Sequence, residues 1–298
     1  MTLITAFLLL RLGGQGLCGH LAIVTAARHS DVNRGRSVAI ASTGFIVGEA
    51  LWPLLIVTVL GMVSWRFLWA CIGMGLIVVA IPALRKFSAK VPTPVPQRAA
   101  AGAPPRLKRL DLFGMVRFIA PLGVVLVSPF IVTAFFFHQS TISLAHQWSA
   151  QDVASAFIGF AACQAIAVWL AGKVVDRRGA TSALYFQLWP LGFAMLTLAF
   201  LPNATGPWVV FTLLGATAGL NSVVVGALWA ELFGIEQLGL VRGVYVSLSV
   251  VATAISPVLL GVALSAGISI GDLALATAAY AIIAPWPLAK ISGRAARS

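Results

Sequence analysis

The chain has 298 residues, of which 60% are apolar and 9% charged, with a formal net charge of +12. A water-soluble domain of this size carries about 25% charged residues, so a soluble globular protein is excluded. The basic excess would suggest nucleic acid in a soluble chain. Here the Lys and Arg residues stand between long apolar stretches, where membrane topology requires them, and they imply anionic lipid headgroups and no nucleic acid.

Nine stretches are long enough to cross a bilayer: about 3–27, 38–62, 66–84, 118–142, 153–172, 182–201, 207–230, 243–265 and 272–289. A spanning helix needs about 20 mostly apolar residues. The expected fold is therefore an all-α polytopic membrane protein, a helical bundle with about nine transmembrane helices. Of the 20 Lys and Arg residues, all but Arg11 and Arg66 lie after the first, third, fifth, seventh and ninth stretches. Cytoplasmic loops collect such residues, so these loops and the C-terminus are expected to be cytoplasmic and Met1 on the far side of a cell (inner) membrane.

The first stretch contains Arg11, Gln15, Cys18 and His20. Arg11 and Gln15 are four residues apart and share a helical face, whereas His20 falls on the opposite one. A buried guanidinium is a natural partner for a carboxylate or phosphate. Arg11 can equally snorkel outward or tie helices together through carbonyls. The second stretch carries Gly44 and Gly48, spaced for close helix contact, and Glu49 well inside it. Burial raises a carboxylate's pKa, which suits Glu49 to carrying a proton; a polar contact between helices is the plainer role.

Residues 85–117 form a basic, Pro-rich linker, with Pro92, Pro94, Pro96, Pro104 and Pro105 among Ala and Gly. Such a segment cannot bury enough apolar surface to fold alone. It separates three spans (1–84) from six (118–298). A shift of 208 residues lays Arg34-Gly35 on Arg242-Gly243 and Gly48 on Ser256, so the last three spans resemble a second copy of the first three. Parallel repeats of six-helix halves are a known transporter plan.

In the fourth stretch His138 and Gln139 follow Phe135-Phe136-Phe137. Histidine exchanges protons near neutral pH, but a hydrogen-bonded structural role or a place on the outer rim also fits. After the fifth stretch comes Gly172-Lys-Val-Val-Asp176-Arg177-Arg178-Gly179. Its glycines permit tight turns, and Asp176 with the arginines can pair with or cap neighbouring helix ends. Asn221 and Ser222 sit in the middle of the seventh stretch, and Gly215 and Gly219 again have the small-xxx-small spacing. Trp65, Trp148 and Trp208 fall at expected boundaries, where aromatic belts form. Cys18, Cys71 and Cys163 lie in apolar stretches without metal-ligand spacing and read as small core residues.

Together these patterns resemble the major facilitator superfamily over its fourth to twelfth helices. The loop from Gly172 to Gly179 is similar to the family's G-x-x-x-D-R-x-G loop, here between helices 8 and 9. Arg11 to Gly16 is similar to the R-x-x-q-G pattern of helix 4, with one extra residue before Gln15. Gly61 to Arg66 resembles the G-W-R turn before helix 6. Ser256-Pro257 with Gly261 looks like the small-Pro-small pattern of helix 11. The second stretch lacks the Gly-Pro step that drug–proton antiporters carry in helix 5. The resemblance implies that 1–84 is the remnant of an N-terminal half, with three helices expected before Met1, and that 118–298 is the C-terminal half. It also puts His138 and Asn221 on cavity-facing helices, and makes Gly172, Asp176, Arg177, Arg178 and Gly179 a conformational-switch loop.

The sequence has no nucleophile elbow, metal-spaced cluster or phosphate loop, so no enzyme, cofactor or metal is expected. The expected function is secondary transport by alternating access, carrying a small organic anion with a proton. Arg11 and Gln15 would hold the anion, and Glu49 or His138 the proton, with Gln139 and Asn221 as further contacts. The alternatives are export of hydrophobic drugs or metabolites, and a truncated fragment that does not transport.

Overall fold

Inside a bilayer no water is present to pair backbone groups, so a spanning segment must close its own hydrogen bonds and become helical. The computed structural model describes residues 5–6, 9, 34–88, 107–201 and 205–295. Among these residues every regular element is a helix. Seven described helices are long and apolar enough to cross a membrane. The stretch at 3–27 lies largely outside the described residues, as do Arg11, Gln15, Cys18 and His20.

The chain divides into two units, Met1–Ala99 and Ala100–Ser298. In the first, α1 (Arg34–Leu60) contains Pro53. After a turn at 61–64, α2 (Trp65–Gly75) begins at Ser64, whose hydroxyl accepts from Phe67 N at 3.4 Å. A π-helical turn, Leu76–Ala80, joins α2 to α3 (Ile81–Ser88). Among the described residues of the spans Thr43–Leu60 and Trp65–Ala83 none is buried, and Trp52, Phe67, Trp69 and Met74 are exposed. A helix that is apolar on all sides suits lipid or the interior of a bundle. Among the described residues Gly44 has nothing within reach of an added Cβ and Gly48 only its own helix's Trp52, so neither makes there the close contact its spacing suggests. Cys71 is exposed rather than part of a core.

The second unit opens with a 3-10 turn, Asp111–Gly114, whose Asp111 carboxylate accepts from Lys108 N at 2.9 Å. Then come α4 (Val116–Val125), α5 (Val127–Phe137), α6 (Gln139–Ala145), α7 (Ala150–Arg178), α8 (Ala180–Ala183), α9 (Trp189–Phe200), α10 (Gly206–Ser265), α11 (Ile270–Ile283) and α12 (Pro285–Ala295). Gly234, with φ 75°, breaks α10 into α10a (Gly206–Gly234) and α10b (Glu236–Ser265). The stretch at 182–201 is not one helix. A turn at 184–188 precedes the 12-residue α9. Pro190 has no N–H to continue a helix, and its fixed φ suits a helix start.

Two aromatic groups knit the unit. Phe118, Trp229, Phe233 and Tyr245 join α4 to both arms of α10, with Phe118 and Trp229 centroids 5.3 Å apart. Phe135, Phe136, Phe157, Phe160 and Phe211 join α5, α7 and α10a, with Phe157 and Phe211 at 4.9 Å. Between α7 and α10a the backbones nearly touch. A Cβ on Gly219 would stand 2.5 Å from the Gln164 carbonyl oxygen, and one on Gly215 would collide with that of Phe160. Here the small-xxx-small spacing does what the sequence suggested.

The turn between α6 and α7 buries Trp148, which is 6% exposed and packs on Gly206 at the start of α10a. Trp148 is thus a packing residue and not part of an interfacial belt. Trp65 and Trp208 are exposed. His146 stacks on Trp148 at 5.2 Å. A capping box at Ser149 and Asp152 starts α7, with Asp152 N donating to Ser149 Oγ at 3.0 Å.

Gly215→Ala should destabilise the second unit by about 1–3 kcal/mol, the usual range for overpacking, because backbone and not a flexible side chain must give way. Gly226→Ala, with open space around it, should be close to neutral. Denaturant unfolding in detergent, followed by size-exclusion profile, compares the two. A second expectation concerns pH. Burial holds His146 below the ordinary histidine value of about 6.5. The opened turn therefore takes up a proton before the packed one, and the turn loses stability as pH falls below about 6.5. Amide exchange at Gln147 and Trp148, corrected for intrinsic rate, should accelerate over that range, and His146→Phe should remove the dependence.

Candidate functional site

Three polar features stand out against the apolar interior of the second unit. The first is the loop after α7. Gly172 lies inside α7 with open space around it, so it forms no turn. Gly179 does: its φ of 81° is open to glycine without strain, and it separates α7 from α8. The start of α8 is capped from a distance. Glu231, on α10a, accepts from Ala180 N, from Thr181 N at 3.3 Å and from Thr181 Oγ1 at 2.6 Å. A Cβ on Gly179 would meet the Glu231 carboxylate at 3.0 Å. The carboxylate thus clasps the loop end to α10a. Asp176, Arg177 and Arg178 are exposed, and Lys173 lies over the Trp169 ring at 3.3 Å. The capping expected of Asp176 belongs to Glu231, because Asp176 is on the helix that ends there and Glu231 faces the one that begins.

The second feature is His138, where α5 passes into α6. Its Nδ1 is 3.2 Å from the Ala134 carbonyl oxygen. A carbonyl only accepts, so Nδ1 carries the hydrogen and Nε2 is the acceptor nitrogen of the neutral ring. Nε2 points at Gly261 on α10b, where a Cβ would stand 3.4 Å away. Ala134 and Ile142, one turn to either side of His138, both line a cleft of about 290 Å³ between α5, α9, α10b and α11. Phe130, Met195, Leu260 and Leu264 are among its walls, with Ser256 and Thr277 the only residues there carrying a polar side-chain atom. Both hydroxyls are turned to their own helix: Ser256 donates to Thr253 O at 3.4 Å, and Thr277 to Leu273 O at 2.8 Å. Pro257 leaves the Thr253 carbonyl without its usual helical N–H donor, so the Ser256 hydroxyl compensates. Gln139, next to His138, is half-buried at the start of α6.

The third feature joins Asn221, on α10a, to the turn before α9. Gln187 Nε2 donates to Asn221 Oδ1 at 2.6 Å, and the buried Tyr245 hydroxyl donates to Val125 O at 3.5 Å. In the first unit Glu49 is exposed on α1. Among the described residues no group of three or more His, Cys, Asp or Glu side chains is placed to hold a metal ion.

Thus His138 and Asn221 both lie in the second unit at separate points, and Arg11 and Gln15 are outside the described residues. Glu231, Gln187 and Tyr245 were not singled out from the sequence. Gln187 carried the same signal as Asn221, an amide inside an apolar stretch. Glu231 stands just past the seventh stretch and reads there as an ordinary boundary charge.

The family model described as Major Facilitator Superfamily matches residues 2–257. No curated protein is similar enough in sequence to match the chain.

Glu231→Ala should detach the loop end from α10a. One hydrogen bond to a charged group contributes about 1.5–3 kcal/mol, so losing these three should lower the melting temperature in detergent. Faster proteolysis after Arg177 or Arg178 should accompany it. An unchanged digest would show that the carboxylate does not hold the loop.

Proposed function

The chain belongs to the major facilitator superfamily, and from that premise we propose that it is a secondary transporter whose second unit binds a largely apolar organic molecule in the cleft between α5, α9, α10b and α11. It is an integral, multi-pass membrane protein. One observation carries the substrate class: the cleft walls are hydrocarbon and aromatic, and both hydroxyls in them are already paired. An ion there would lose its hydration for nothing in return. His138, beside the cleft, is our choice for the coupled proton site, with Nε2 as the exchanging atom and Gly261 leaving it room. In this reading 1–84 belongs to the first half of the transporter, 85–117 is a cytoplasmic linker and 118–298 is the second half. The basic loops and the C-terminus face the cytoplasm, in a cell membrane. The segment from Gly172 to Gly179, the end of α7 and the turn after it, with Glu231 holding the start of α8, is the element that changes partners as access alternates.

Proton-coupled transport of a small organic anion is the second reading. The half-buried His138 favours it, since an imidazolium there would pair with a carboxylate. Arg11 with Gln15 would then anchor the anion, with Glu49 as the alternative proton site.

Proteoliposomes under an imposed pH gradient separate the two. On the apolar reading an uncharged, lipophilic dye such as Nile red moves faster than through empty liposomes. Leu260→Trp, which fills the cleft, cuts that rate at least tenfold while the protein still runs as a folded peak. His138→Ala should keep dye binding and lose the dependence on the gradient. Gradient-driven benzoate uptake that is abolished by Arg11→Ala, with no dye movement, would establish the anion reading instead.

A further inference from the structure

The span Val116–Phe137 is interrupted at its midpoint, Leu126, where α4 ends and α5 begins. A helix end leaves its last four carbonyls without a donor, and in hydrocarbon no water supplies one. In an unbroken helix Val125 O would take the N–H of residue 129, but that residue is Pro129, which has none. All four carbonyls are nonetheless answered. Leu126 N donates to Leu122 O and to Val124 O. The Tyr280 hydroxyl, from α11, donates to Gly123 O at 2.9 Å, and the buried Tyr245 hydroxyl, from α10b, donates to Val125 O at 3.5 Å. Glycine at 123 is part of the fit. A Cβ there would stand 3.4 Å from the Tyr280 hydroxyl and 2.8 Å from Leu288 Cδ1.

The two tyrosines serve their carbonyls differently. Pro129 withholds a donor from Val125 O whether the span is bent or straight, so Tyr245 stands in for that donor in either form. Gly123 O has a choice: closing the interruption returns Val127 N to it, as in any α-helix, and releases Tyr280. One carbonyl with two alternative donors lets the span bend and straighten without leaving a bare polar group in hydrocarbon. The cleft lies where that bend is felt. Beyond the break α5 carries Phe130, Ile131, Ala134 and Phe135 into the cleft wall, and Phe135 and Phe136 seat it on α10a and α7. The facing walls include α10b and α11, the helices whose tyrosines hold the end of α4, and Thr277 of the cleft is one turn from Tyr280. A change of angle at Leu126 therefore changes the width of the cleft.

We propose that the interruption at Leu126 is a hinge between a bent and a straight form of the span, with Gly123 O exchanging the Tyr280 hydroxyl for Val127 N, and that the bent form is the one in which the cleft receives its ligand. Tyr280 and Tyr245 are positioning residues of this hinge, and neither lines the cleft. The hinge rests on the apolar-cleft reading above, and adds how access to that cleft is controlled.

The test is Nile red binding to the full chain in phosphatidylcholine nanodiscs, with association and dissociation followed by stopped-flow fluorescence over empty nanodiscs. A ligand that selects one form associates in proportion to the population of that form, while its dissociation is unaffected. Tyr280→Phe removes a bond made only in the bent form. It should slow association about two- to threefold, the size of one hydrogen bond between membrane helices, and leave dissociation unchanged. Pro129→Ala, which restores the missing N–H and favours the straight form, should slow association at least as much, so either variant carries the test if the other fails to fold. On the Pro129→Ala background Tyr245→Phe should no longer lower the melting temperature, because residue 129 then supplies the donor. Unchanged association in both variants, or faster dissociation with association unchanged, which marks a residue that touches the dye, would overturn the hinge and leave the cleft standing. No binding by the wild type above empty nanodiscs would overturn both.

Discussion

The second unit depends on how closely α7 and α10a approach. Gly215 and Gly219 bring the α10a backbone against the carbonyls of Phe160 and Gln164, a distance at which no side chain fits. In lipid there is no hydrophobic force to press helices together, so association rests on close packing of backbone and on polar contacts between helices. Once these two helices are joined, Phe157 and Phe160 on one and Phe211 on the other make the surface on which Phe135 and Phe136 seat α5. That seating turns His138 toward α10b and opens the cleft beside it.

The same crossing explains where polar groups are allowed. Several polar groups of the unit are answered within it. Glu231 on α10a caps α8, Asn221 takes the Gln187 amide, and the Ser256 hydroxyl covers the carbonyl that Pro257 leaves without a donor. These contacts tie the two irregular parts of the unit, the Gly179 loop and the turn at 184–188, to one long helix. A superfamily transporter must change conformation without exposing unpaired polar groups to hydrocarbon. Partners that can be exchanged, such as a carboxylate on backbone N–H groups, suit that need better than rigid apolar contacts do.

Much of this was legible before any coordinates. Hydropathy marked the spans because twenty apolar residues have one stable form in a bilayer. The loop from Gly172 to Gly179 was found as a motif, and its Gly179 takes the positive φ that only glycine adopts freely. What could not be read was the partner. Nothing local to Gly179 points to Glu231, which is 52 residues further on and looked like a boundary charge. Gly44 and Gly48 carry the same spacing as Gly215 and Gly219, yet only the second pair meets a neighbouring helix among the described residues. Trp148 departs from the expected belt for a related reason: an aromatic near a span end can face lipid or fold back over the next helix.

By itself, then, the sequence determined the class of protein, the rough position of most spans, and the family resemblance. These follow from properties that each segment carries alone: apolar length, charge between segments, and glycine at a turn. Only the tertiary structure decided that 182–201 breaks into a turn and a short helix, that Glu231 and not Asp176 caps α8, and that Gln187 pairs with Asn221. Those outcomes depend on which distant atoms meet. A hydrogen bond across 34 residues, as between Gln187 and Asn221, has no periodicity or composition to announce it, because its cost and its benefit exist only once the helices are packed.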